Sequence, residues 1–158
     1  MTLRMRELTV DRMALAYPLV QLVNPQVSFD SWRRYAEGRL HLCESEPGGI
    51  MLIEDASEHI AGLFAYLIEW NLQYGRVLAV RDLVVLTLFE HQRSQTLRAI
   101  VESLDRLAET HECAAIHTHL AVSVPSGEQS APLSDHFESA GHSSEPWGFC
   151  KLLGTRTV

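Results

Sequence analysis

Cysteine is scarce in this chain. Among 158 residues there are three, Cys43, Cys113 and Cys150. They are widely spaced and odd in number, and no Cys-x-x-Cys pair occurs, which argues against a disulfide framework or a structural zinc site. Cys113 and Cys150 sit in apolar surroundings, where a free thiol behaves as a small buried hydrophobe. No apolar run approaches the roughly 18 residues of a membrane helix, and residues 1–7 hold no stretch of signal-peptide length. Positive charge is also short: 13 Lys+Arg stand against 20 Asp+Glu, a formal net charge of −7. Binding to nucleic acid or to an anionic membrane needs clustered Lys/Arg, so both partners are excluded as general ones. What is present is apolar. Hydrophobic residues make up 46% of the chain, too many for a disordered segment. A cytoplasmic chain folded as one domain over residues 1–158 is expected, burying about two-thirds of its unfolded surface.

The order of elements follows from hydrophobic period and punctuation. Residues 3–8 alternate as a short first strand. Thr9 then caps a helix carrying Val10, Met13, Ala14 and Tyr17 on one side, which Pro18 should kink or end. After the break at Asn24-Pro25, Ser28 caps a second helix with Phe29, Trp32, Tyr35 and Ala36 on one side, and Gly38 is expected to end it. Pro47-Gly48-Gly49 reads as a turn, residues 50–53 as a strand, and residues 60–70 as its antiparallel partner across a polar connection. Residues 76–89 are the most apolar stretch, rich in β-branched side chains, and suit a strand buried on both faces. The period then switches. Leu97, Ile100, Val101, Leu104, Leu107 and Ala108 follow helical spacing over about residues 93–110. Residues 113–116, continuing to Leu120, form the next strand, so residues 76–120 make a β–α–β unit with a right-handed crossover. Residues 124–132 read as a loop, residues 133–140 as a short helix ended by Gly141, and residues 147–153 as a closing strand.

This order, with its β–α–β unit at this length, resembles the GNAT superfamily of acetyl-CoA-dependent N-acyltransferases. Three short segments carry the likeness. Arg81-Asp82-Leu83-Val84-Val85 looks like the family's fourth strand, Gln92-Arg93-Ser94-Gln95-Thr96-Leu97 stands where the family has Q/R-x-x-G-x-G/A, and Phe137-Glu138-Ser139-Ala140-Gly141-His142 looks like its C-terminal Tyr-Glu-Lys-x-Gly-Phe. The resemblance implies a mixed α/β (α+β) fold with a central twisted sheet of six to seven strands flanked by about four helices. It implies acetyl-CoA as acyl donor, with pantetheine along Leu83, Val84 and Val85. The pyrophosphate would lie at the helix start formed by Gln92, Arg93, Ser94, Gln95, Thr96, Leu97 and Arg98, where free N–H groups and the helix dipole favour an anion. Arg93 and Arg98 form a small cationic spot inside an acidic chain. The acceptor would be an amine on a small molecule or peptide, and a homodimer is common in the family.

The chain departs from the family pattern at three positions. Gln95 and Leu97 replace small residues of the cofactor loop, and Phe137, which has no proton to give, replaces the tyrosine acid. Asp82 and Glu69 are candidates for the proton acceptor and His136 for the missing acid. Two readings stay open: an acyltransferase using these altered groups, or a catalytically silent domain of the same fold that binds CoA or a protein partner in a regulatory role. A third class rests on His117 and His119, which share one face of a strand. With His136, His142 or Asp135 they would make a metal site; the favoured reaction needs no metal.

Overall fold

The computed structural model describes residues 2–41, 47–86, 90–119 and 131–154. The chain runs β1 (Arg4–Glu7), a 3₁₀ turn (Val10–Arg12), α1 (Met13–Val23), α2 (Phe29–Leu40), β2 (Gly48–Glu54), β3 (Ile60–Asn71) and β4 (Gly75–Val85). It continues with α3 (Glu90–Thr110), β5 (Ala115–His119), α4 (Ala131–Ser139), β6 (Ser143–Glu145) and β7 (Gly148–Leu152). All seven strands join one sheet in the order β1-β2-β3-β4-β5-β7-β6. The β4–β5 pair is parallel, from Val77↔Ala115 to Val80↔Thr118, and the other neighbours are antiparallel. The mixed α+β architecture with four helices is the one expected. Cys43, Leu120, residues 87–89 and the loop at 124–130 lie outside the described residues.

Each face of the sheet has its own apolar cluster. On one face Phe64, Ile68, Leu78, Val80 and Ile116 meet Leu97, Ile100 and Leu104 of α3 and Phe137 of α4. On the other, Ile50, Leu52, Leu63 and Ala65 meet Met13, Ala16 and Leu19 of α1 and Trp32 of α2. Period-2 alternation in the strands and period-3.6 spacing in the helices produce this division. The indole N–H of Trp32 donates to the Met13 carbonyl at 2.8 Å, tying α2 to α1.

Several boundaries differ from the sequence expectation, each for a local reason. The helix of α1 continues through Pro18, since Met13, Ala16 and Leu19 on either side are all buried and their packing outweighs one lost backbone bond. Thr9 is extended and caps the 3₁₀ turn without a side-chain bond. Gly38 lies inside α2, which ends at Leu40; only Ser28, accepting from the Ser31 N–H at 3.1 Å, caps as expected. Gly48 and Gly49 extend β2 instead of turning. Residues 131 and 132, expected in the loop, open α4, where proline is tolerated because a first-turn N–H has no partner to lose. Gly141 ends α4 at φ +91, as expected. Strand β6 was not foreseen. Gly148, at φ +147, starts β7 where an added Cβ would overlap the Thr118 carbonyl oxygen; only glycine allows β7 to lie that close to β5.

His142, just after α4, is buried against the Phe137 ring, with centroids 5.0 Å apart. Burial, aided by the charge of Lys151, pushes its pKa down to about 4 from the ordinary 6.5. Between those values the unfolded chain takes up a proton that the folded chain refuses. Stability should therefore fall as pH drops from about 6.5 to about 4, by up to roughly 1.4 kcal/mol per pH unit. Urea denaturation at pH 7 and pH 5 checks this, and His142→Leu should flatten the dependence.

Candidate active site

The site begins with a break in strand pairing. β4 pairs with β3 as Ala65↔Arg81 and then Leu63↔Val84, so Asp82 and Leu83 oppose Phe64 alone. This is a β-bulge, one extra residue that re-aims the side chains beyond it. Val80 lies in the α3-side cluster, as do Leu83 and Val85, whereas Val84 faces α1 and α2. At the bulge Asp82 has φ +52. That is the left-handed region, where Asp is among the few side chains tolerated, at a cost on the order of 1 kcal/mol. The parallel pairing with β5 ends at Val80↔Thr118 while β4 runs on to Val85. Among the described residues, β4 therefore has no β5 partner over residues 81–85.

The Tyr35 hydroxyl donates to the Asp82 carboxylate at 2.5 Å. The two residues are 47 positions apart in the chain, and α2 brings them together by packing across β2. Burial first, and the Asp82 carboxylate next, raise the Tyr35 pKa well above its ordinary value, so the phenol holds its proton. Tyr35 also stacks beside Trp32, with centroids 6.0 Å apart, and carries the Arg39 guanidinium 5.3 Å from its ring centre. Next to this pair opens a cleft of about 280 Å³ between the end of α1, the start of α2 and β4. Its walls are Val20, Val23, Val27, Trp32 and Val84, and Asp82 with Tyr35 brings polar character to one side.

A second group lies on β3–β5. Glu69 sits 3.9 Å from the Arg81 guanidinium. His117 is held between Tyr74 (5.4 Å) and Trp147 (4.9 Å), and His119 lies against Trp147 at 5.0 Å. Burial lowers the pKa of both histidines; the charge of His119 adds to this at His117 and that of Arg81 at His119, while Glu69 opposes it at both. Both imidazoles are therefore neutral at pH 7. Among the described residues no three His, Cys, Asp or Glu side chains gather as metal ligands. Of the expected third ligands, Asp135 and His136 lie in α4 and His142 just after it, where His136 meets Ser94 and His142 packs on Phe137.

Residues expected to cradle a pyrophosphate are helical throughout. α3 starts at Glu90, three residues before the expected Arg93, and takes in Gln92 to Arg98. Leu97 and Thr96 point inward, at 0% and 1% exposure, and the Thr96 hydroxyl donates to the Gln92 carbonyl at 2.9 Å. Arg93 is also buried. Gln95 and Arg98 are exposed, and Gln92 and Ser94 are half-buried. Leu97 is thus a core residue of α3. Gln95→Gly, which would restore the family glycine, is expected to cost about 1 kcal/mol of helix stability; urea denaturation measures it. His136 of α4 faces Ser94, with Nε2 and Oγ 3.3 Å apart. Phe137, in the family's tyrosine position, is wholly buried and stacks on Phe149 at 4.9 Å.

The sequence candidates thus fall into three places. Asp82 joins Tyr35 at the cleft, Glu69 joins Arg81 and the His117–His119 pair, and His136 belongs to the start of α3. Tyr35, an aromatic at helical spacing on the second helix, reads either as core or as the wall of an acceptor pocket against the sheet, and the α1 valines carry no distinguishing signal.

The sheet order, the bulge in β4 and the end of the β4–β5 pairing at Val80↔Thr118 define a mixed α+β fold. No family model matches the chain, and no curated protein matches its sequence. Solved structures do. Glucosamine-6-phosphate N-acetyltransferase from Arabidopsis thaliana is 21% identical, with TM-score 0.65 over 92% of this chain and 94% of that one. Spermidine N-acetyltransferase from Vibrio cholerae, solved with CoA and spermine, is 20% identical, with TM-score 0.65 over 94% and 92%. An aminoglycoside 6'-N-acetyltransferase from Acinetobacter baumannii is 12% identical, with TM-score 0.68 over 99% of each chain. The chain has the fold of the GNAT N-acetyltransferases.

Proposed function

We propose that the protein is an acetyl-CoA-dependent N-acyltransferase acting on a primary amine. One observation carries this reading: among the described residues β4 continues five residues past its last β5 partner, leaving a backbone edge over residues 81–85 beside the Asp82 bulge. Peptide-like amides of pantetheine can pair with Leu83, Val84 and Val85 on that edge, as an added strand would. The phosphates would lie at the start of α3, near Gln92, Ser94, Gln95 and Arg98. Acetyl-CoA supplies a thioester carbonyl open to attack.

The protein's own groups manage the amine. An alkylammonium is drawn to the Asp82 carboxylate, which accepts its proton and leaves a neutral nucleophile. Tyr35 holds that carboxylate in place and keeps its own proton. Overall an N–C bond forms, the C–S bond breaks, the sulfur leaves as the thiol, and one proton passes to solvent. Calorimetry with acetyl-CoA and CoA tests the reading: micromolar binding is expected, and no binding at millimolar ligand overturns it.

The buried Phe137 favours the second reading, a CoA-binding domain without catalysis. The Tyr35–Asp82 pair at the bulge speaks against it. Release of free thiol from acetyl-CoA that depends on an added amine would eliminate it.

A further inference from the structure

The cleft between α1, α2 and β4 is unlike a site for a polar acceptor. Val20, Val23, Val27, Trp32, Leu63 and Val84 supply its surface. Asn24 Oδ1 accepts the Gln26 N–H at 3.3 Å and Ser31 Oγ accepts from Ser28 Oγ at 3.0 Å, so both side chains keep donors only, which do not attract an ammonium. The group that would hold a cation is the Tyr35–Asp82 pair, in which Asp82 is the one carboxylate among the lining residues. We infer that the acceptor is a primary amine on a compact apolar body, an arylalkylamine or short branched alkylamine, with its ammonium on Asp82 and its body against the valines. This rests on the acyltransferase reading and narrows it to a substrate class.

Size and polarity both support this. A cavity of about 150 Å³ holds a benzene ring, so about 280 Å³ takes one ring and a short alkyl chain. An amino sugar or a polyamine would set hydroxyls or further ammonium groups against valine side chains. Each polar group left without a partner there costs about 1–3 kcal/mol, a factor of roughly ten to a hundred. An apolar amine loses nothing of this kind and gains from every CH₂ it buries.

The test titrates 2-phenylethylamine, ethanolamine and spermidine into the full chain and follows indole fluorescence, since Trp32 lines the cleft. Acetylation is then measured by thiol release. Phenylethylamine is expected to bind at least tenfold more tightly than either polar amine and to have the highest kcat/KM. Val23→Phe and Val27→Phe fill the cleft from two positions. Each is expected to weaken phenylethylamine at least tenfold while acetyl-CoA affinity by calorimetry stays the same. Equal binding of the three amines overturns the inference, as does indifference of phenylethylamine to both variants. So does preferential use of hexanoyl-CoA with ethanolamine, which would mean that the cleft takes the acyl chain. The amine titration needs no acyl donor, so failure of acetyl-CoA to bind would overturn the acyltransferase reading alone.

Discussion

Asp82→Asn is expected to lower kcat/KM for a cationic amine by roughly 10²- to 10³-fold, the usual worth of a positioned proton acceptor, while leaving stability nearly unchanged. Asparagine is nearly isosteric with aspartate, is among the residues best tolerated at positive φ, and can still accept the Tyr35 hydroxyl through its amide oxygen. The charge and the proton affinity are what it loses. Asp82→Gly separates strain from chemistry. It relieves the left-handed backbone at φ +52 and is expected to match or exceed wild-type stability by up to about 1 kcal/mol, yet with activity as low as that of Asp82→Asn. Strain kept at a position where its removal stabilises the protein is the mark of a residue retained for function. Steady-state kinetics with a saturating acyl donor, together with urea denaturation, measures both halves. Wild-type kcat/KM in Asp82→Asn would remove the carboxylate from the chemistry and leave Glu69, beside Arg81, as the candidate.

Much of this was legible in the sequence because burial imposes a period. The alternation in β3, the apolar run of β4 and the i, i+3, i+4 spacing of α3 each correspond to a buried face. Where no face is buried the signal fails. β6 is three exposed residues, Ser143–Glu145, defined only by its pairing with β7. Gly38 and Pro18 illustrate the opposite case: local breaker chemistry gave way because the helices carrying them are pinned by Trp32, Ala36 and Leu19. The site was half visible. Asp82 stood out as a carboxylate in an apolar strand. The bulge that turns it, and the Tyr35 that meets it from 47 residues away, depend on register and helix packing that no local pattern encodes. Leu97 carried two readings, a position on the apolar face of the helix and a place in the cofactor loop. In the family pattern its place belongs to the cofactor loop, whereas here α3 starts early enough to turn that position into the core.

The cleft also depends on how α1 is fixed to the sheet, and there a buried ion pair is decisive. The Arg12 guanidinium, at the N-terminal end of α1, contacts the Glu54 carboxylate at the end of β2; Glu54 is 1% exposed and Arg12 8%. Arg12→Met is expected to cost about 3 kcal/mol, the low end for stranding a buried charge, because Arg6, 3.5 Å from Glu54 and half-exposed, still compensates in part. At this chain length that corresponds to a fall in Tm of roughly 10 °C. Arg12→Met/Glu54→Leu removes both charges and is expected to recover most of the loss, since a well-packed apolar pair often matches a buried ion pair. The difference between the double variant and the sum of the singles measures the coupling. A cost below about 1 kcal/mol for Arg12→Met would mean that the apolar contacts of Met13, Ala16 and Leu19 alone hold α1. In the expected case the single variant also loosens the wall carrying Val20 and Val23. Its KM for an apolar amine should then rise more than its KM for acetyl-CoA, whose proposed edge on β4 is held by β3.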